Sequence, residues 1–226
     1  MAQGQEQNAV IVGGGEPLPA TAGIVLHSPV FYDFTVRLAM LGKERAFREN
    51  VVSLARLESA ESVLDVGCGT GTLVIAAKRR VGPTGTVSGL DASPEMLARA
   101  EKKTKKAGLD IVFKNGLAEK MPFPDAQFHA VLNTVMLHHL PRKARLQCLR
   151  EIRRVVRPDG RVLVVDFDGS ARQHKGLVSH FYHGHGHVNL RDMTALLNEA
   201  GLNVIESGAM GILDLQFVLA KPACCG

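Results

Sequence analysis

The chain has 226 residues, 46% of them hydrophobic and 22% charged, with a net charge of +5. This length can bury a substantial core in one domain, and the composition is that of an ordinary globular protein, which excludes disordered, collagen-like and small disulfide-stapled chains. There is no apolar run near the roughly 18 residues of a membrane-crossing helix, no charged-then-apolar leader and no CxxC pair among the four cysteines, so a reduced, cytoplasmic protein is expected.

Residues 1–28 read as a flexible tail, because MAQGQEQ is polar and GGGEPLP is rich in chain breakers. Within it AVIVGGGEP imitates a dinucleotide-binding strand and turn. Leu18 stands where a third glycine is needed, however, and Pro17 and Pro19 spoil the helix that would receive a pyrophosphate. The domain is expected over residues 29–221 and opens with N-terminal helices: Phe31, Phe34, Leu38 and Leu41 mark one, and a second follows Lys43.

From Glu61 onward, short apolar segments rich in β-branched residues alternate with helical ones. SVLDV, GTVSGL, DIVFK, FHAVLNT and GRVLVVDF read as five strands in order. The helix after the second has Ser93 as its N-cap, Pro94 at its first position and Gly108 just past its last turn. Before the fifth strand, PRKARLQCLREIRRVVRP sets seven basic residues against the single acid Glu151. Leu146, Leu149, Ile152 and Val156 recur there at helical spacing, which predicts that the basic residues from Arg142 to Arg157 occupy the opposite face. That face is either a solvated surface or a patch for an anionic membrane or another acidic partner. The irregular stretch DGSARQHKGLVSHFYHGHGHVN follows, then a helix near 190–200, the strands LNVIES and DLQFVLA, and a Cys-containing tail at 222–226. Strand–helix alternation of this kind predicts an α/β fold with a parallel sheet covered on both faces.

The most informative stretch is VLDVGCGTGT, residues 63–72, where an apolar strand ends in Asp65 and breaks into Gly67, Gly69 and Gly71. A loop after the first strand of a parallel sheet lies at the carboxyl edge, where open α/β folds bind ligands. A nucleoside triphosphate would need GxxxxGK[ST], but Thr72 and Leu73 follow Gly71. A dinucleotide would need GxGxxG, and here the third glycine comes one position early. Asp65 is a poor neighbour for pyrophosphate and a good one for an ammonium or sulfonium. Asp91, ending the next strand, suits a pair of ribose hydroxyls. A cationic amino acid at one end and a ribose at the other describe S-adenosyl-L-methionine.

The segments VLDVGCGTGT, VSGLDASPEML, GLAEKMPFPDAQFHAVLNTVMLHHL and RPDGRVLVVDF, in this order, resemble the class I S-adenosylmethionine-dependent methyltransferases, and within them the branch of quinone-biosynthesis and phospholipid enzymes. The resemblance implies a doubly wound, Rossmann-like, seven-stranded sheet of order 3-2-1-4-5-7-6 with the last strand antiparallel. It also implies cofactor contacts from Asp65, Gly67, Cys68, Gly69, Gly71, Asp91, Ala92, Met96, Gly116, Leu117, Ala118, Asn133 and His138. Asp65 would hold the amino group and Asp91 the ribose, with Ala92 and Met96 near the adenine. Cys68 reads as a small filler within the loop. Leu117 stands where the family usually has an Asp against the adenine amine, which leaves the Ala118 N–H as the donor. Asn133 and His138 fall where the family lines the reacting centre.

On the acceptor side, His138, Tyr182 and His183 are the catalytic candidates. The stretch around the last two also carries His180, His185 and His187, open to a metal-binding, an acceptor-binding or a purely solvated reading. No resident metal is expected. The expected function is methyl transfer to a small molecule, with a lipid-like or quinone-like acceptor favoured. Nucleic acid is disfavoured because NTVMLHH, not an NPPY-like motif, follows the fourth strand. Two alternatives stay open. One is a soft-metal or metalloid (arsenic or mercury) methyltransferase using Cys224 and Cys225, and the other is a non-catalytic S-adenosylmethionine-binding regulator, suggested by Leu117.

Overall fold

The computed structural model describes residues 42–168, 189–212 and 214–223, together with Gly23 and Pro29. The expected helix through Phe31 and Leu41, the segment holding Tyr182 and His183, and Cys224 and Cys225 lie outside the described residues. The elements are α1 (Glu44–Leu54), β1 (Ser62–Val66), α2 (Thr72–Val81), β2 (Thr86–Asp91), α3 (Pro94–Lys106) and β3 (Val112–Asn115). There follow β4 (Phe128–Thr134), a 3-10 turn (Leu137–His139), α4 (Arg142–Val155) and β5 (Val156–Phe167). The last three are α5 (Leu190–Glu199), β6 (Leu202–Ala209) and β7 (Leu215–Pro222).

The strands form one sheet of order β3-β2-β1-β4-β5-β7-β6, as expected. β1 to β5 pair in parallel, whereas β7 runs antiparallel to both β5 and β6. The chain winds outward in one direction from β1 to β3, then restarts at β4 on the other side of β1. The β1/β4 boundary is therefore the switch point at which a crevice opens beyond the strand ends.

Side-chain alternation builds a core on each face of the sheet. On one face, Val63, Val87, Leu132, Leu163 and Leu219 pack with Phe47 and Val51 of α1 and with Leu73, Val74 and Ala77 of α2. On the other, Leu64, Val66, Val131, Val162 and Val164 pack with Cys148, Leu149 and Ile152 of α4 and with Met193 and Leu197 of α5. The same alternation decides which face each polar residue at the strand ends joins. Asp65 pairs in register with Leu132 and so lies on the α1/α2 face, whereas Asn133, paired with Val66, lies on the α4/α5 face.

Candidate functional site

The glycine loop turns out of β1 through three residues with left-handed backbone: Gly67 at φ +74°, Gly69 at +52° and Gly71 at +79°. The conformation alone favours glycine, and packing adds to it at two positions. A Cβ on Gly67 would lie 2.5 Å from Met136 Cγ, and one on Gly71 would lie 2.8 Å from the Cβ of Ala100 on α3. The loop is tied to β2 by Gly67 and Cys68 N–H groups, which both donate to Leu90 O (2.8 and 3.0 Å). Cys68 is buried with its Sγ over Gly89, where a Cβ would come within 2.8 Å of the sulfur. Burial, with Asp65 and Asp91 close by, pushes its thiol well above the ordinary range, so it is packing and not a nucleophile.

Two carboxylates flank this loop. Asp91 Oδ2 accepts the Gly69 N–H (2.8 Å) and Oδ1 accepts the Ser93 N–H (2.9 Å). Burial raises its pKa against the effect of these bonds. Asn115, which the sequence reading passed over, fastens the same corner: its Nδ2 donates to the carbonyls of Asp91 and Ala92, both at 3.0 Å. Asp65 is 1% exposed, and its Oδ1 has no hydrogen-bond partner. Burial pushes its carboxyl up to about 7, opposed by the charge of Arg48 and reinforced by that of Asp91. Asn133 is likewise buried. Its Nδ2 donates to Val66 O (2.9 Å), and its Oδ1 is left without a partner.

The remaining candidates ring this centre. Met96 is buried in the first turn of α3, where its N–H donates to the Ser93 hydroxyl (3.2 Å). The Gly116 N–H donates to Asp91 O (3.1 Å), and Leu117 closes a tight turn by accepting from the Lys120 N–H (3.2 Å). Ala118 packs partly buried against the α4/α5 core.

His138 sits in the 3-10 turn after β4 and is tied to Asp166 at the end of β5. Its Nδ1 lies 2.7 Å from Asp166 Oδ1, and its backbone N–H donates to Oδ2 (3.0 Å). Phe167 N–H donates to Oδ1 as well (2.8 Å). Burial alone would raise the Asp166 pKa, but the His138 charge and these hydrogen bonds outweigh it and hold the carboxyl below its ordinary range. An ionised carboxylate only accepts, so His138 Nδ1 is the donor in this bond. Asp166 was not singled out from the sequence, yet it ends an apolar strand as Asp65 and Asp91 do.

The basic helix departs from its expected layout. Arg145 is not on the outer face but is 5% exposed, with its Nε donating to Leu137 O (2.9 Å) just ahead of His138. Arg142 pairs with Glu199 (3.4 Å), Arg154 with Glu151 and Asp125 (both 2.7 Å), and Arg157 with Asp159 (2.9 Å). Arg142, Arg154 and Arg157 are thus paired within the fold, and of their acids Glu199 and Asp125 are distant in sequence, so that a local charge count leaves them out. Among the described residues no three His, Cys, Asp or Glu side chains are grouped to hold a metal ion, and no helix is long and apolar enough to cross a membrane.

A family model described as a methyltransferase domain matches residues 63–160, from β1 into β5. The demethylmenaquinone methyltransferase of Thermus thermophilus is 34% identical over 151 residues, which are 67% of this chain and 67% of that protein. The chain belongs to the class I S-adenosylmethionine-dependent methyltransferases. The demethylmenaquinone methyltransferase of Lactobacillus johnsonii is 36% identical over 137 residues, 60% of this chain and 55% of that one. The chain matches little more than half the length of several such relatives. An S-adenosylmethionine-dependent methyltransferase structure from Aquifex aeolicus, 23% identical, superposes with a TM-score of 0.70 over 86% of this chain and 98% of that one, and so shares the fold.

The family's methyl donor, S-adenosylmethionine, fits the residues present. Asp65 Oδ1 is a buried acceptor in need of a donor, and the ammonium of the donor's amino acid is one. The Asp91 carboxylate, which accepts backbone N–H groups through both oxygens, has about four acceptor sites and so suits ribose hydroxyls.

Proposed function

We propose that this methyltransferase transfers the methyl group of S-adenosylmethionine to a reduced, quinone-like small molecule, with His138 receiving the proton that the acceptor gives up. The observation that carries the reading is the buried His138–Asp166 pair at the ends of β4 and β5, one strand over from the glycine loop. The named substrate of the demethylmenaquinone methyltransferases it resembles supports the choice of acceptor.

The sulfonium methyl of the donor is already activated. What remains for the protein is to orient the acceptor about 3 Å from the methyl carbon, exclude water and accept a proton. A reduced quinone carries phenolic hydroxyls, and loss of one proton enriches the ring in electrons. A base beside the donor therefore speeds attack by the acceptor on the methyl carbon, as the carbon–sulfur bond breaks. His138 suits that task because Asp166 holds its tautomer and stabilises the imidazolium that forms. Asp166 is thus a positioning residue.

The test supplies the pure protein with S-adenosylmethionine and a short-chain demethylated naphthoquinol, and follows S-adenosylhomocysteine and methylated product by mass spectrometry. His138→Gln is expected to lower kcat about 10²-fold or more while leaving S-adenosylhomocysteine affinity unchanged. Asp166→Asn should shift the pH profile of kcat as well as its height. Cofactor binding without product would overturn the quinone reading.

A further inference from the structure

The peptide between Leu137 and His138 is gripped at both ends by buried charges. Its carbonyl accepts from Arg145 Nε on α4 (2.9 Å), and its N–H donates to Asp166 Oδ2 at the end of β5 (3.0 Å). Guanidinium and carboxylate thus stand at the two poles of one peptide dipole, each at the pole of opposite sign, and the two bonds reinforce each other. Satisfying the carbonyl does not explain Arg145, because the Leu140 N–H already donates to Leu137 O (3.0 Å). Nor does packing. Burial pulls the guanidinium below its ordinary range, opposed by the charge of Asp166. An apolar side chain would extend the stripe of Cys148, Leu149 and Ile152 at lower cost.

Among the described residues, the titratable and charged groups set around His138 are Asp166 from β5, Arg145 from α4 and His139 from its own turn, whose ring centroid is 3.9 Å away. The Phe167 ring lies edge-on at 5.2 Å. Asp166 alone would serve a base badly. A buried carboxylate with no other counter-charge favours the imidazolium and keeps the histidine protonated before the acceptor arrives. Arg145, Asp166 and an unprotonated His138 together carry no net charge, so the carboxylate is balanced already.

We propose that Arg145 is a positioning residue for methyl transfer: it fixes the His138 turn through the Leu137 carbonyl and balances Asp166, so that His138 stays unprotonated until the acceptor gives up its proton. The proposal rests on His138 being the base. It gives the buried cation of α4 a part in the reaction without contact with donor or acceptor.

NMR of the full chain labelled with 15N-histidine tests this without an acceptor, the His138 imidazole signals being those lost in His138→Gln. Arg145→Met and Arg145→Gln both remove the charge, and only Gln keeps a donor for the carbonyl. In both, the imidazole should take up its second proton at a pH higher by roughly half a unit or more. Arg145→Lys, which keeps the charge, should titrate close to the wild type. S-adenosylhomocysteine should bind every variant alike, which reports that each is folded. In the quinol assay the acid limb of the kcat profile should move with the imidazole. A titration that stays put in Arg145→Met and Arg145→Gln, or moves as far in Arg145→Lys, overturns the proposal and leaves His138 as the base. A kcat in His138→Gln equal to that of the wild type overturns both.

Discussion

Asp65 is the residue whose environment departs furthest from that of an ordinary surface carboxylate. A carboxyl held at about 7 in the folded chain, against an ordinary value near 4, stays protonated in the folded state where the unfolded chain has released its proton. Its share of stability therefore falls as pH rises from about 4 to about 7. A ligand ammonium reverses the preference by favouring the ionised form. S-adenosylhomocysteine should bind more tightly as pH rises from about 5.5 to 7 and level off above that, releasing protons below pH 7. Titration at pH 6 in two buffers of different ionisation heat measures that release, and Asp65→Asn should abolish it. An affinity independent of pH in the wild type would contradict this account. At this scale the sequence was legible wherever one residue's type and place in a motif sufficed, as for Gly67, Gly71, Asp65 and Asp91. It was illegible for Asn115, which carries no motif and fastens the Asp91 corner only once β3 has paired with β2. Asp166 lies between these cases, since an acid ending an apolar strand was a signal available in GRVLVVDF.

Elements were readable to the extent that their causes are local. β1 and β4 have the bounds that SVLDV and FHAVLNT suggest, because each is a short buried run closed by polar or turn residues. α3 starts and stops where its cap, proline and glycine predict: the Ser93 hydroxyl accepts the Met96 N–H, and Gly108 adopts φ +64°. Ser93→Ala should cost about 1 kcal/mol in a urea melt, through the lost cap. Ser93 N–H also holds Asp91, so the cap sits at the cofactor corner, and the same variant should weaken S-adenosylhomocysteine binding modestly. Unchanged stability would mean that the hydroxyl is replaceable by water. α4 shows where periodicity falls short. Its apolar stripe holds through Leu149 and Ile152, but the helix ends at Val155, so Val156 and Arg157 fall in β5. Buried Arg145 interrupts the stripe to hold the turn carrying His138. A charge inside a helix face looks the same in sequence whether water or a carbonyl awaits it.

Across the whole molecule, the proposed cofactor corner draws on β1, β2 and the edge of β3, and the His138–Asp166 pair on the ends of β4 and β5. A ligand bridging several elements stabilises only the folded state. S-adenosylhomocysteine at about 100 times its Kd should add roughly 2.7 kcal/mol, raising Tm by about 5–10 °C, measurable by scanning calorimetry. A Tm that does not move would argue against a preformed site.

The sequence by itself determined the strand–helix alternation, the glycine loop and, through the family resemblance, the strand order and the methyl donor. Those follow from periods of two and 3.6 residues and from contiguous motifs, all expressed within short windows of chain. The tertiary structure alone decided that Asn115 fastens the Asp91 corner, that Asp166 orients His138, and that Glu199 and Asp125 pair with Arg142 and Arg154. Such pairings form when parallel crossovers carry residues distant in sequence to one edge of the sheet, and burial there removes the water that would otherwise make them interchangeable with any surface charge.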